Sequence, residues 1–93
     1  MKQILILFIL FLTQVQAFCA TAFELGRDAF YDKNYERSKY YFVKEIKRDP
    51  KNYKAHYFLG LSYKGLNDKP NAIDSFKDVL NTAPSHQLEY GYA

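Results

Sequence analysis

The sequence contains a single cysteine, Cys19, so no internal disulfide can form. It has no tryptophan, and its aromatic content of 18% comes from nine tyrosines and eight phenylalanines. The only histidines are His56 and His86, and no His-x-x-x-His or Cys-x-x-Cys spacing offers a metal site. No G-x-x-x-x-G-K run cradles a phosphate, and no nucleophile sits on a recognisable elbow. The chain therefore reads as a non-enzyme with no catalytic residues, metal or cofactor. Charge of one sign is scarce as well. A formal net charge of +3 is too mild to argue for nucleic acid as a partner. Strand-like alternation of apolar and polar residues is missing, which leaves an all-α chain.

Long apolar runs are missing too. The longest, Ile4 to Leu12, is nine residues, well short of the roughly 20 that a membrane-spanning helix needs. It follows Lys2 and precedes the polar residues Thr13, Gln14 and Gln16. Val15-Gln16-Ala17 then places a small residue where signal peptidase cuts. A cleaved secretory leader over 1–17 is expected, with Ala22 marking a second cleavage position. The competing readings are a retained membrane anchor and lipidation at Cys19, although Phe18 and Gln16 fit lipidation poorly. Export to a periplasm or the exterior is expected. Membrane contact would come only through a retained leader or a lipidated Cys19. Loss of the leader leaves a chain near the lower size limit for a self-sufficient core.

What is present is an amphipathic pattern with a flaw. In 55-AHYFLGLSYKGLNDKPNAIDSF-76, apolar residues recur every three or four positions, yet Gly60 sits mid-run. A helical glycine costs about 1 kcal/mol relative to alanine. Sliding the chain by 34 residues places Leu25-Gly26 on Leu59-Gly60, Phe42 on Phe76 and Pro50 on Pro84. Phe23 falls on Tyr57, Asn34 on Asp68, Ser38 on Ala72 and Ile46 on Leu80. Each unit reads as two helices, over about Thr21–Tyr31 and Tyr35–Lys47, then Tyr53–Leu66 and Pro70–Asn81. Asp49-Pro50 and Ala83-Pro84 act as stops, because the residue before proline resists the α region. The glycines read as spacing devices. Ser38 and Ala72 are the small residues expected to face them, with Phe42 and Phe76 filling the space one turn on.

This pattern resembles the tetratricopeptide repeat family, whose unit reads roughly W-x2-L-G-x2-Y, then Ala, Phe and Pro. The second unit supplies His56, Leu59, Gly60, Tyr63, Ala72, Phe76 and Pro84. The first supplies Ala22, Leu25, Gly26, Ala29, Ser38, Phe42 and Pro50. Neither unit has the tryptophan. Glu45 and Lys39 stand where small or aliphatic residues are usual, which implies looser packing of the first unit. The resemblance implies an α-solenoid of helix-turn-helix repeats, with units over 19–52 and 53–86. Residues 87–93 would be a partial third repeat or capping segment, with Leu88 and Tyr90 covering the second unit. Such stacks generally need about three units, so self-association is an alternative way to cover an open end.

In the family, first helices line a concave groove. Carried over by register, the groove residues are Phe23, Arg27, Phe30, Tyr31, Tyr57, Leu61 and Lys64, with Lys54 at the edge. That surface implies a protein or peptide partner with apolar side chains and an acidic group. The competing reading is that several of these rings pack between units. The carboxylate clamp of one family subtype is absent, since the matching positions hold Phe23, Arg27 and Phe58. Two further stretches stand out. Lys44 to Lys54 is rich in lysine and reads as a solvated helix end complementing the helix dipole. Tyr40 and Tyr41 cannot both face one core. The function implied is a small exported interaction module. The alternative is a structural, self-assembling component of an envelope complex.

Overall fold

The computed structural model describes residues 20–84. They form four helices and, among the described residues, no strand: α1 (Ala22–Tyr31), α2 (Tyr35–Arg48), α3 (Tyr53–Gly65) and α4 (Lys69–Thr82). These bounds lie within two residues of those expected from caps and stops. The expected leader, Cys19 and the tail over 87–93 lie outside the described residues.

Each helix starts on a side chain suited to the task. Thr21, Asn34, Asn52 and Asp68 accept backbone N–H bonds from Glu24, Arg37, Ala55 and Asn71. Each satisfies one of the donors that a helix start leaves orphaned. α2 ends at Asp49 and α4 at Ala83, both outside the helical region ahead of proline, Ala83 in extended backbone. The turns of the two hairpins match bond for bond. Lys33 and Asn67 hold left-handed φ values of 61° and 60°. Asn34 N–H then donates to the Ala29 carbonyl, and Asp68 N–H to that of Tyr63, each at 2.9 Å. Asparagine tolerates this conformation, whereas Lys33 pays roughly 1–2 kcal/mol for it.

α1 packs on α2, α2 on α3 and α3 on α4, and α1 also touches α3. Within each hairpin a glycine permits the close approach. A β-carbon built on Gly26 would sit 2.9 Å from the Phe42 ring, and one on Gly60 would sit 2.5 Å from the Phe76 ring. The nearest groups over the glycines are thus the phenylalanine rings, not Ser38 and Ala72. Ser38 has another task. Its hydroxyl lies 2.7 Å from that of Ser62, fully buried between α2 and α3.

α3 is the central helix and is packed on two sides. One side carries Gly60 toward α4. The other carries Ala55, Phe58, Ser62 and Gly65, spaced three, four and three residues apart. Phe58 stacks on Phe42 at 5.4 Å and 14°. A β-carbon on Gly65 would meet the Tyr35 ring at 2.6 Å. This second stripe joins the two hairpins.

Glu45, out of place by family pattern, is 1% exposed yet fully satisfied. Arg48 donates to both its oxygens, at 2.9 and 2.7 Å. The Asn52 amide, whose oxygen caps α3, donates to Oε2 at 2.9 Å. The expected looseness at this position is therefore a polar tie between α2 and the start of α3. The Arg48 hydrogen bonds hold the carboxyl below its usual value of 4.5. Burial opposes them, and the Asn52 bond adds to them. With the lower value in the folded state, the linkage sign is fixed. Glu45 contributes stability above its unfolded value, and that contribution is lost as pH falls through the folded one. Urea midpoints measured from neutral to about pH 3 are expected to fall more steeply for the wild type than for Glu45→Gln. Parallel acid limbs would contradict the assignment.

Candidate functional site

The candidate surface is the face shared by α1 and α3. Helical spacing puts Glu24, Arg27 and Tyr31 on one stripe of α1, and Lys54, Tyr57, Leu61 and Lys64 along one side of α3. Arg27, Lys54 and Lys64 are exposed, and none has an ion-pair partner among the described residues. Tyr31 is 67% exposed, the most exposed large hydrophobic residue described. Tyr57 and Leu61 are half-buried. Tyr57 leans on Phe76 at 6.1 Å and meets Phe58 edge-on at 5.9 Å.

Phe23 and Phe30 sit differently. Both are half-buried, and both turn an edge to Phe58, at 5.9 and 5.5 Å. Phe23 also meets Phe42 at 5.7 Å. These two rings form the floor under the face, while Tyr31, Tyr57 and the three cations form its surface. Glu24 on the same α1 stripe makes the surface mixed in sign, with positive charge in excess.

The residues expected to pack the repeats are placed as follows. Ser38, Phe42, His56, Leu59, Gly26, Gly60 and Ala72 are buried, and Leu25, Tyr63 and Phe76 half-buried. Pro50 and Pro84 are exposed and act by ending helices. His56 ties the loop between hairpins. Its Nε2–H donates to the Pro50 carbonyl at 2.9 Å, since a carbonyl can only accept. Its Nδ1 has no hydrogen-bond partner and lies 3.8 Å from Asp78 Oδ2. No group of three or more His, Cys, Asp or Glu among the described residues could hold a metal ion.

Phe58 is the residue that sequence reading undervalued. It entered there only as a failed clamp position, yet five rings surround it: Phe23, Phe30, Tyr31, Phe42 and Tyr57. The stripe Ala55, Phe58, Ser62, Gly65 has helical spacing and small residues on both sides of an aromatic, a signal that comparison of the two units does not single out.

A separate concavity of about 620 Å³ lies between α2 and the corner where α3 meets α4. Val43, Tyr63 and the exposed Tyr40 line it, along with lysines of α2. It contains none of the α1–α3 face residues. No family model, curated protein or solved structure matches the chain.

Proposed function

We propose that the chain is a two-unit α-solenoid of tetratricopeptide-like repeats. In this reading it is an exported interaction module that takes a peptide or protein segment on its α1–α3 face. The turns and the second-helix caps Asn34 and Asp68 recur at 34 residues, which supports the repeat reading, while the first-helix caps Thr21 and Asn52 lie 31 apart. The observation that carries the binding reading is Tyr31, 67% exposed against the Phe30 and Phe58 rings, with the unpaired Arg27 one turn away on the same helix. Such a surface gains area from rings and pairs carboxylates with Arg and Lys. The leader fits this reading when cut after Ala17, which keeps the Thr21 cap. A cut after Ala22 would remove both the cap and the first residue of α1.

The test is recovery of partners from the exporting cell on immobilised chain, quantified by mass spectrometry. Arg27→Glu and Tyr31→Ala are each expected to reduce recovery of the principal partner at least tenfold with helicity unchanged. Equal recovery by both variants would contradict the face assignment.

A second reading, self-assembly, draws on one observation. Leu80 is 63% exposed, whereas Ile46, its counterpart 34 residues earlier, packs against the core. The opposite end argues against endless head-to-tail stacking. There Thr21, Glu24 and Asp28 stand at the register positions of Ala55, Phe58 and Ser62, so a polar edge would meet an apolar one. Self-assembly would therefore form a closed pair through α4, visible in sedimentation as a dimer.

A further inference from the structure

We infer that the groove between α2 and the α3–α4 corner is a second, independent docking surface for an acidic peptide carrying an apolar side chain. Its volume of about 620 Å³ lies within the range of about 300–1,000 Å³ typical of ligand clefts. That volume admits one or two side chains. Val43 and Tyr63 give it an apolar floor, and Tyr40 stands at its edge, 61% exposed. Tyr40 is the one large aromatic of α2 that is exposed, since Tyr35 and Tyr41 are half-buried and Phe42 is buried. It keeps one edge-on contact, to Tyr41 at 5.2 Å, while Tyr41 itself is covered by the Arg37 guanidinium.

The charges decide the class of ligand. Three lysines line the groove, Lys39, Lys44 and Lys47, against two carboxylates, Glu36 and Asp68. Both carboxylates are engaged. Glu36 pairs with Lys39 at 3.1 Å. Asp68 caps α4 and accepts from the Asn71 amide at 2.8 Å. Lys44 and Lys47 are left without an ion-pair partner among the described residues. Three residues apart, they sit on neighbouring turns of one helix face. A helix C-terminus favours cations in general, but that does not account for an apolar floor beside them. Three lysines against two carboxylates leave the groove a net charge of about +1, with Lys44 and Lys47 unpaired, which is too little for a nucleic acid or a lipid bilayer. A DNA-binding surface can make roughly 6–10 phosphate contacts, and a polybasic cluster that reads as lipid-binding carries about 4–8 Lys or Arg. The two unpaired lysines match a short segment whose carboxylates flank one aliphatic or aromatic side chain, the side chain dropping between Tyr40, Val43 and Tyr63.

The test titrates the full chain into a fluorescein-labelled, end-blocked peptide Asp-Glu-Leu-Phe-Glu-Asp and follows anisotropy. Saturable binding is expected, weakened at least tenfold by Lys44→Glu with Lys47→Glu and weakened by added salt. The α1–α3 face would also take such a peptide, so the titration is repeated in an Arg27→Glu background. Binding that persists there and is lost on adding Lys44→Glu with Lys47→Glu belongs to this groove, which separates the two surfaces. Should the double variant lose helicity, Tyr40→Ala carries the test and is expected to weaken binding at least fivefold. The inference is overturned if the peptide does not bind or if the lysine and tyrosine variants bind like wild type. It is also overturned if Arg27→Glu alone abolishes binding, or if phosphatidylglycerol vesicles bind through these lysines while the peptide does not.

Discussion

Phe58→Ala is expected to remove about 3 kcal/mol of folding stability, the low end of the range of roughly 3–5 for phenylalanine truncation in a core. The low end applies because Phe58 is half-buried. What it holds together is nonetheless central. It stacks on Phe42, which is 0% exposed, and meets Phe23 and Phe30 from α1 edge-on. Aromatic pairs of this kind contribute about 0.5–1.5 kcal/mol each beyond area burial, and the values do not add when one ring serves several partners. Truncation would open the wall of the Phe42 pocket and leave the hairpins joined mainly by the Ser38–Ser62 contact, Tyr35 on Gly65, and the Glu45 network. Small domains hold about 5–15 kcal/mol in all, with the smallest at the low end. Most of the stability would therefore go. Urea unfolding followed by far-ultraviolet circular dichroism measures it. A loss under about 1 kcal/mol would mean the hairpins are not joined through this ring.

Gly60→Leu is expected to destabilise by about 1–3 kcal/mol through overpacking, although leucine is the better helix former by roughly 1 kcal/mol. The steric term wins because the space is already filled. A β-carbon alone would lie 2.5, 2.8 and 2.9 Å from three atoms of the Phe76 ring. The rest of a leucine side chain must displace that ring, which Tyr57 flanks at 6.1 Å. Gly26 is looser by a few tenths of an ångström, with its nearest Phe42 atoms at 2.9, 3.0 and 3.1 Å. A melting temperature equal to or above wild type for Gly60→Leu would contradict the packed-hairpin account. The glycine that breaks the amphipathic pattern is thus the point where the Phe76 ring of α4 lies directly on α3.

Helix positions were legible because the caps are spelled in the sequence. Thr21, Asn34, Asn52 and Asp68 open helices, while Pro50 and Pro84 close the second of each pair. The joint between hairpins was not, and the reason is specific. Comparing the two units finds what they share, and the joint is what they do not share. Ala55, Phe58, Ser62 and Gly65 align with Thr21, Glu24, Asp28 and Tyr31, a set of different residue types. That edge is polar at Thr21, Glu24 and Asp28 and carries the exposed Tyr31 at its far end. Glu45 was obscured in the same way. Its type suggested a defect, and only the fold brings Arg48 and Asn52 to its two oxygens. On the candidate face, register identified the stripe but not the depth of each ring. Tyr31 and Phe30 are adjacent in sequence, yet one is open and the other is packed under Phe58. The groove beside α2 showed in the sequence only as two separate stretches, the lysines from Lys44 and the Tyr40–Tyr41 pair, which acquire a common floor when Tyr63 arrives from α3.

The account rests on two hairpins, each closed by a glycine under a phenylalanine ring and joined through Phe58. The most direct measurement is a nuclear Overhauser spectrum of the full chain with labelled aromatic rings. Cross-peaks are predicted from the Gly26 and Gly60 α-protons to the Phe42 and Phe76 rings, and from the Phe58 ring to those of Phe42, Phe23 and Phe30. Helical signals without the glycine–ring cross-peaks, or a Phe58 ring showing contacts within α3 alone, would contradict it.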